Sequence, residues 1–269
     1  MREGDAERAL LEARVEDMLR RVERYEVAIG PFLSPREQHY AAQKLKGAVS
    51  DACGVFYGGY DGSERNRLFV LPAYLQTEDG VYTAAVLREM LPEHTADAVR
   101  VLSVAGSGYR KLSHRDYLGS LLGLGIKRDT LGDIVVRDDC HALVFCDGAM
   151  ADYILSELRL VGSDTVKVTA VTLDADFRVE RRMRPISDTV ASPRLDAIVS
   201  SLISTSREKA QALIKAGLVE VDYEPCERND KMLEENAVIS VRGHGKYVIG
   251  SVSEQTKKGR YRLIAAQYD

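Results

Sequence analysis

A chain of 269 residues, 45% hydrophobic and 29% charged, has the composition of a soluble globular protein, and its length leaves room for two or three small domains. The formal net charge of −4 excludes a polyanion binder that works by bulk basicity, so any such function must rest on local clusters of Lys and Arg. No apolar run reaches the roughly 18 residues that span a bilayer, and the Glu/Arg-rich N-terminus lacks the apolar segment of a signal peptide, which predicts a cytoplasmic protein with no membrane partner.

Residues 5–29 read as a charged amphipathic helix with Leu11, Val15, Met18, Val22 and Tyr25 on one face, ended by Pro31. Ser34-Pro35-Arg36-Glu37 then combines an N-cap, a first-turn proline and a capping-box acid, and predicts a helix to about Ala52. Residues 55–60 and 68–72 read as strand, turn, strand. A helix around residues 83–91 closes an N-terminal region of 1–95.

The next region, 96–180, is more regular. Strands at 99–105, 133–137, 141–145 and 165–171 alternate with helices at 114–124 and 149–160, in the order β-α-β-β-α-β used by ferredoxin-like and RRM-like domains. An RRM displays stacking aromatics on its central strands. The first strand here has none and the hairpin offers only Phe145, so base stacking on this sheet is not expected. Residues 178–185, with Arg178, Arg181, Arg182 and Arg184, read as a basic linker.

The last region, 188–269, changes character. Ser192 and Pro193 form an N-terminal helix signal, and Leu195, Ile198, Val199, Leu202 and Ile203 recur at helical spacing. A second helix opens with Thr205 and Glu208 spaced as a capping box and stops at Gly217, with Ala210, Leu213 and Ile214 inward. Arg207, Gln211 and Lys215, four residues apart, lie on one polar stripe. Strands follow at 218–223, 237–242, 246–249 and 261–264, with Gly243-His244-Gly245 as a turn. The whole chain is thus expected to be α+β.

The pattern SxRLD, then SRxKAxxLIxxGxVxV, then a strand ending in Arg242-Gly243, resembles the S4 domain, a module that grips structured RNA. Carried over position by position, the resemblance makes Arg194 and Arg207 the leading phosphate ligands. Lys209, Gln211, Lys215, Arg242 and Lys246 come next, and Lys257, Lys258 and Arg260 extend the basic surface. The stretch 223–235, with Glu224, Glu227, Asp230, Glu234 and Glu235, is longer and more acidic than the pattern requires.

Phe32-Leu33-Ser34-Pro35-Arg36-Glu37, Gly58-Gly59-Tyr60-Asp61-Gly62-Ser63-Glu64-Arg65, His114-Arg115-Asp116-Tyr117-Leu118-Gly119 and Leu124-Gly125-Ile126-Lys127-Arg128-Asp129 add to this. With Gly132-Asp133-Ile134 and Thr256-Lys257-Lys258-Gly259-Arg260, they make the chain resemble the YlmH family of bacterial S4-domain proteins over nearly its full length. The resemblance implies a factor that binds rRNA and tRNA on the large ribosomal subunit, in quality control of subunits carrying stalled peptidyl-tRNA, beside a C-terminal tailing factor. A second basic patch, Lys111, Arg115, Lys127 and Arg128, falls in the middle region.

Rival chemistry finds little support. His114-Arg115-Asp116 has Leu121 where a kinase loop needs Asn. Gly106-Ser107-Gly108 lacks the third glycine of a dinucleotide fingerprint, and no Walker A sequence exists. Cys53, Cys140, Cys146 and Cys226, with the histidines, show no ligand spacing, so neither metal nor cofactor is expected. An RNA-modifying enzyme or a cell-division-linked adaptor remains the alternative to a plain RNA-binding factor.

Overall fold

The structure is a computed structural model that describes residues 3–48, 52–174, 176–179, 183–255 and 259–268, without the side chains of 3, 4, 254 and 255. The chain divides into two compact units, Met1–Val179 and Glu180–Asp269.

The first unit begins with α1 (Glu3–Val22), β1 (Ala28–Leu33), α2 (Pro35–Lys46), β2 (Cys53–Tyr57) and β3 (Asn66–Leu71). The strands form an antiparallel sheet in the order β1-β3-β2. Leu11, Val15, Met18 and Val22 are buried in one cluster with Ala28, Tyr40 and Val70, as the helical spacing predicts. The helix stops earlier than expected, however. Tyr25 turns out to φ 65° and is 76% exposed. Pro31 does not end the helix but lies in β1, an edge strand, at a break in register between Ile29 and Phe32, where its missing N–H is tolerated.

The capping box of α2 is present, with the Glu37 carboxylate accepting from the Ser34 amide at 2.7 Å. Its helix ends at Lys46, short of the expected 52. The helix expected at 83–91 is α3 (Ala84–Met90), and Pro92 starts the first turn of a further helix, α4 (Pro92–Ala98).

The ferredoxin-like reading of the next region holds. Its elements are β4 (Arg100–Gly106), α5 (His114–Gly123), β5 (Leu131–Val136), β6 (His141–Cys146), α6 (Gly148–Glu157), a short β7 (Leu160–Val161) and β8 (Asp164–Val171). The sheet runs β5-β6-β4-β8-β7, so the four main strands stand in the order 2-3-1-4, all antiparallel. One sheet face buries Leu102, Val104 and Val144 in a cluster with Tyr117, Leu121 and Ile154 of the two helices.

The other face is partly covered from within the unit. Val99, Val101, Val135, Leu143 and Phe145 join Phe32, Tyr57, Tyr60 and Phe69, with Leu173, Phe177 and Val179 packed on the same cluster. Phe145 is fully buried, with the Tyr60 ring 4.9 Å away. This contact explains Gly59. Gly59 has φ 101°, and a Cβ there would lie 2.8 Å from the Phe145 ring. Asp133 locks the same signature in place, accepting from Tyr60 Oη at 2.6 Å and from the amides of Glu64 and Arg65 at 2.8 Å each.

The second unit holds β9 (Met183–Val190), α7 (Leu195–Leu202), α8 (Arg207–Lys215), β10 (Val219–Val221), β11 (Glu224–Pro225), β12 (Val238–Val241), β13 (Gly245–Gln255) and β14 (Tyr261–Tyr268). Its sheet runs β11-β10-β12-β13-β14-β9. The helices bury Leu195, Ile198, Val199, Ala210 and Ile214 against Val219, Val221, Ile239, Val241 and Leu263. Part of the expected linker is therefore a strand: residues 183–185 begin β9, which pairs with β14 from Met183↔Tyr268 to Val190↔Tyr261. Arg181 and Arg182 lie outside the described residues.

Candidate nucleic-acid interface

The start of α7 differs from its sequence reading. Ser192 is not the N-cap; Arg194 holds that position without a side-chain cap bond, and the buried Ser192 hydroxyl has no hydrogen-bond partner among the described residues. The orphan amides of the first turn are met by backbone instead. Leu195 N donates to Lys231 O at 2.8 Å, and Asp196 N to Asn229 O at 3.1 Å. Arg194 also forms a β-bridge with Met232. The long acidic stretch after β11 thus caps α7.

Removing the capping duty from the side chains frees Asp196 for another. It is fully buried, and three polar side chains converge on it. Arg207 donates from Nε at 3.0 Å and Nη2 at 3.1 Å, Gln211 from Nε2 at 2.8 Å, and Arg194 from Nε at 3.3 Å. Arg194 and Arg207 keep 39% and 47% of their side-chain surface. They are therefore half-anchored arms, each tied to Asp196 while part of its guanidinium side chain stays open to solvent.

Burial pushes the Asp196 carboxyl up, but hydrogen bonds from Arg207 and Gln211, the Arg207 charge and the Arg194 bond together hold it below its ordinary range. The linkage sign follows from that direction. A depressed folded-state pKa stabilises the fold above the unfolded carboxylate value of about 3.9, and the contribution disappears as pH falls through the folded value. Acid titration of amide exchange in α7 should show this loss, and Asp196→Asn should remove that component of the pH dependence.

The N-cap of α8 is Ser206, whose hydroxyl accepts from the Lys209 amide at 3.3 Å, one residue later than the Thr205/Glu208 box predicts. Ser204, at φ 50°, inserts the extra turn residue. Gly217 ends the helix at φ 67°, as read.

On one flank of α8, Arg207 and Arg260 line a cleft of ≈ 270 Å³ together with Ser200, Ser201, Thr205 and Thr189. Arg260 Nε donates to Thr189 Oγ1 at 3.1 Å, and Ser201 Oγ donates to Asp188 Oδ2 at 2.5 Å. On the other flank, Lys209 and His244 border a groove of ≈ 570 Å³ floored by Ile203, Ala212, Leu213 and Ala216. Lys215 and Arg242 are exposed. Lys246 is half-buried between two rings, its ammonium 4.9 Å from the Tyr223 centroid and 5.1 Å from that of Tyr268. Lys257 and Lys258 lie outside the described residues. The hydroxyls of the cleft and the hub role of Asp196 went unread in the sequence; an acid beside Arg in the RLD triplet, 11 and 15 residues before Arg207 and Gln211, was the available signal.

In the second basic patch, two of the four cations are engaged within the fold and two are exposed. Lys111 pairs with Asp139 at 2.7 Å. Arg128 is half-buried and donates to the carbonyls of Leu131 and Gly132, and burial, with Arg65 nearby, lowers its pKa to about 10. Arg115 and Lys127 are exposed. The His114-Arg115-Asp116 triplet is helix N-terminal structure, the Asp116 carboxylate accepting from the Ser113 amide at 2.8 Å.

Comparison with known proteins agrees with this architecture. Residues 94–175 match the family described as "Putative RNA-binding domain in YlmH", and residues 193–239 match the S4 domain. A ferredoxin-like region followed by an S4 module defines a multidomain S4 protein. The chain belongs to the YlmH family: it is 31% identical over 245 residues to the Bacillus subtilis "Ribosome-associated protein quality control protein P2", covering 90% of this chain and 87% of that one. A solved structure, "Cell division protein ylmH from Streptococcus pneumoniae", aligns at TM-score 0.46 and 19% identity over 61% of this chain and 91% of that one, too loose a likeness to weigh.

Proposed function

We propose that the protein is a cytoplasmic, non-enzymatic RNA-binding factor that holds structured rRNA or tRNA on the large ribosomal subunit, in quality control of subunits bearing stalled peptidyl-tRNA. The observation that carries this reading is the convergence of Arg207 and Arg260 on a hydroxyl-lined cleft, beside two arginine arms organised by one buried carboxylate. Guanidinium groups held in fixed orientation suit bidentate phosphate contact, and phosphate neutralisation supplies most sequence-independent affinity. Arg194, Arg207 and Arg260 are the inner phosphate ligands. Gln211 shares the Asp196 carboxylate with Arg194 and Arg207, while Lys209, Lys215, Arg242 and Lys246, with Lys257 and Lys258, form the outer ring. The name of the Bacillus subtilis relative, a ribosome-associated quality control protein, supports the ribosomal setting.

An RNA-modifying reaction fits the same residues poorly. Asp196, the acid of the RLD triplet, is fully buried and occupied by three donors, so it is not presented to a substrate. Burial pushes the Cys146 thiol up to about 12, far from an activated nucleophile.

Lys209, Lys215 and Arg242 test the reading without disturbing the Asp196 cluster, since their side chains form no ion pair among the described residues. In sucrose-gradient sedimentation from lysate, the tagged wild type should travel with large subunits. The Lys209→Glu/Lys215→Glu/Arg242→Glu variant should remain at the top with an unchanged circular-dichroism spectrum. Co-sedimentation of the variant at wild-type level would overturn the proposal.

A further inference from the structure

The loop between β4 and α5 exposes Tyr109 to 93% of its surface, while the chain on both sides of it is firmly held. At the near end, Ser107 satisfies the buried carboxylate of Asp164, donating from its amide at 3.0 Å and from Oγ at 2.5 Å. Gly106 passes so close that a Cβ would sit 2.7 Å from Asp164 Oδ2. Gly108, at φ 86°, then swings the chain outward into open space. At the far end, Leu112 is buried and its amide donates to Asp139 O at 2.7 Å. Arg110 Nη1 reaches Ser163 Oγ at 2.5 Å, and Lys111 pairs with Asp139. A fixed loop that leaves its one large aromatic unpacked forgoes burial that the fold offers elsewhere to such rings.

What lies beside it is the uncovered end of the ferredoxin-like sheet. Val101 faces the cluster shared with the N-terminal strands, so Ser103 and Ala105 lie on that same face, further along β4. Ala105 pairs with His141 on one side and Lys167 on the other, and both are exposed. The acids of the neighbouring hairpin are already engaged. Asp139 pairs with Lys111, and Asp138 accepts from the amides of Cys140 and His141.

We propose that Tyr109 is a base-stacking contact for an unpaired RNA strand, which runs from this loop along the row His141–Ala105–Lys167. An aromatic face accepts any base, and Arg110 beside it offers a phosphate contact, a combination used to hold single strands without reading sequence. The contact deepens the RNA-binding reading and rests on it, but it uses none of the residues assigned there.

The chain contains no tryptophan, so Tyr109→Trp installs a single fluorescent reporter. Titration of that full-length variant with a 12-nucleotide single-stranded RNA should quench its emission. A 12-base-pair RNA duplex should not, and Tyr25→Trp, also exposed but elsewhere, should stay silent with either. Tyr109→Ala should weaken single-strand affinity roughly 5- to 150-fold, the range for loss of one base–aromatic stack, while Tyr109→Phe retains it. An unquenched reporter with wild-type affinity in Tyr109→Ala overturns the inference. If the Lys209→Glu/Lys215→Glu/Arg242→Glu variant still loses the large subunit, the RNA-binding reading stands without it. If wild type binds neither the single strand nor the subunit, both fall.

Discussion

Arg207→Ala should destabilise the C-terminal unit by about 2–3 kcal/mol, although nearly half of the arginine side chain is exposed. Its partner, not its own burial, sets the size of the effect. Asp196 is fully buried, and Arg207 supplies its two-point hydrogen bond. Removing one member of a buried charged pair costs about 3–5 kcal/mol when the other is left orphaned, and somewhat less here because Gln211 and Arg194 still donate. Hydrogen exchange of the α7 and α8 amides would report the change, with Lys209→Ala as the silent control. Adding Asp196→Asn should recover part of the loss, since it removes the buried charge and leaves only the partly exposed Arg194 without its carboxylate. A fully stable Arg207→Ala would mean that the carboxylate is hydrated and the cluster is not an anchor. Loss of RNA binding in an arginine variant therefore has to be read beside its stability.

Phe145→Ala should cost the N-terminal unit about 3–5 kcal/mol, the usual range for emptying a fully buried phenylalanine site. The ring lies under Tyr60 and Phe177, with centroids at 4.9 and 6.4 Å, and Gly59 and Gly132 make room for it. Denaturant unfolding followed by near-ultraviolet circular dichroism should show a lowered midpoint, with large-subunit association reduced only as far as the folded population falls. A stacking phenylalanine on an open sheet would behave in the opposite way, losing RNA affinity at constant stability. The two outcomes separate a covered sheet face from an RRM-type platform.

The sequence was most legible where local signals and tertiary packing agree. The capping box at Ser34 and Glu37, the left-handed stop at Gly217 and the alternation of the ferredoxin-like strands are each decided within a few residues. Legibility fell where a distant segment supplies the partner. Ser192 has the chemistry of an N-cap, but carbonyls from Asn229 and Lys231 meet the amides of Leu195 and Asp196 first. The start of strand β9 looks like linker in sequence because it is an edge strand with both faces largely solvated, so no alternation marks it; its register comes from β14. Pro31 resembles a helix stop in sequence for a related reason: only the sheet order reveals that its strand is an edge. The candidate site divides in the same way. Its cations stand in the sequence, while the acid that aims two of them shows itself only when α7 and α8 are packed together.

In the proposed function, cations of the C-terminal unit meet RNA phosphates, and the salt dependence of binding measures that contact most directly. Affinity of the purified full chain for purified large ribosomal subunits should fall steeply between low and moderate salt. Lys209→Ala/Lys215→Ala/Arg242→Ala should weaken it and flatten the log–log slope by roughly two to three, at roughly 0.7–0.9 for each phosphate no longer neutralised. A salt-insensitive wild type, or a variant with the wild-type slope and affinity, would contradict the account.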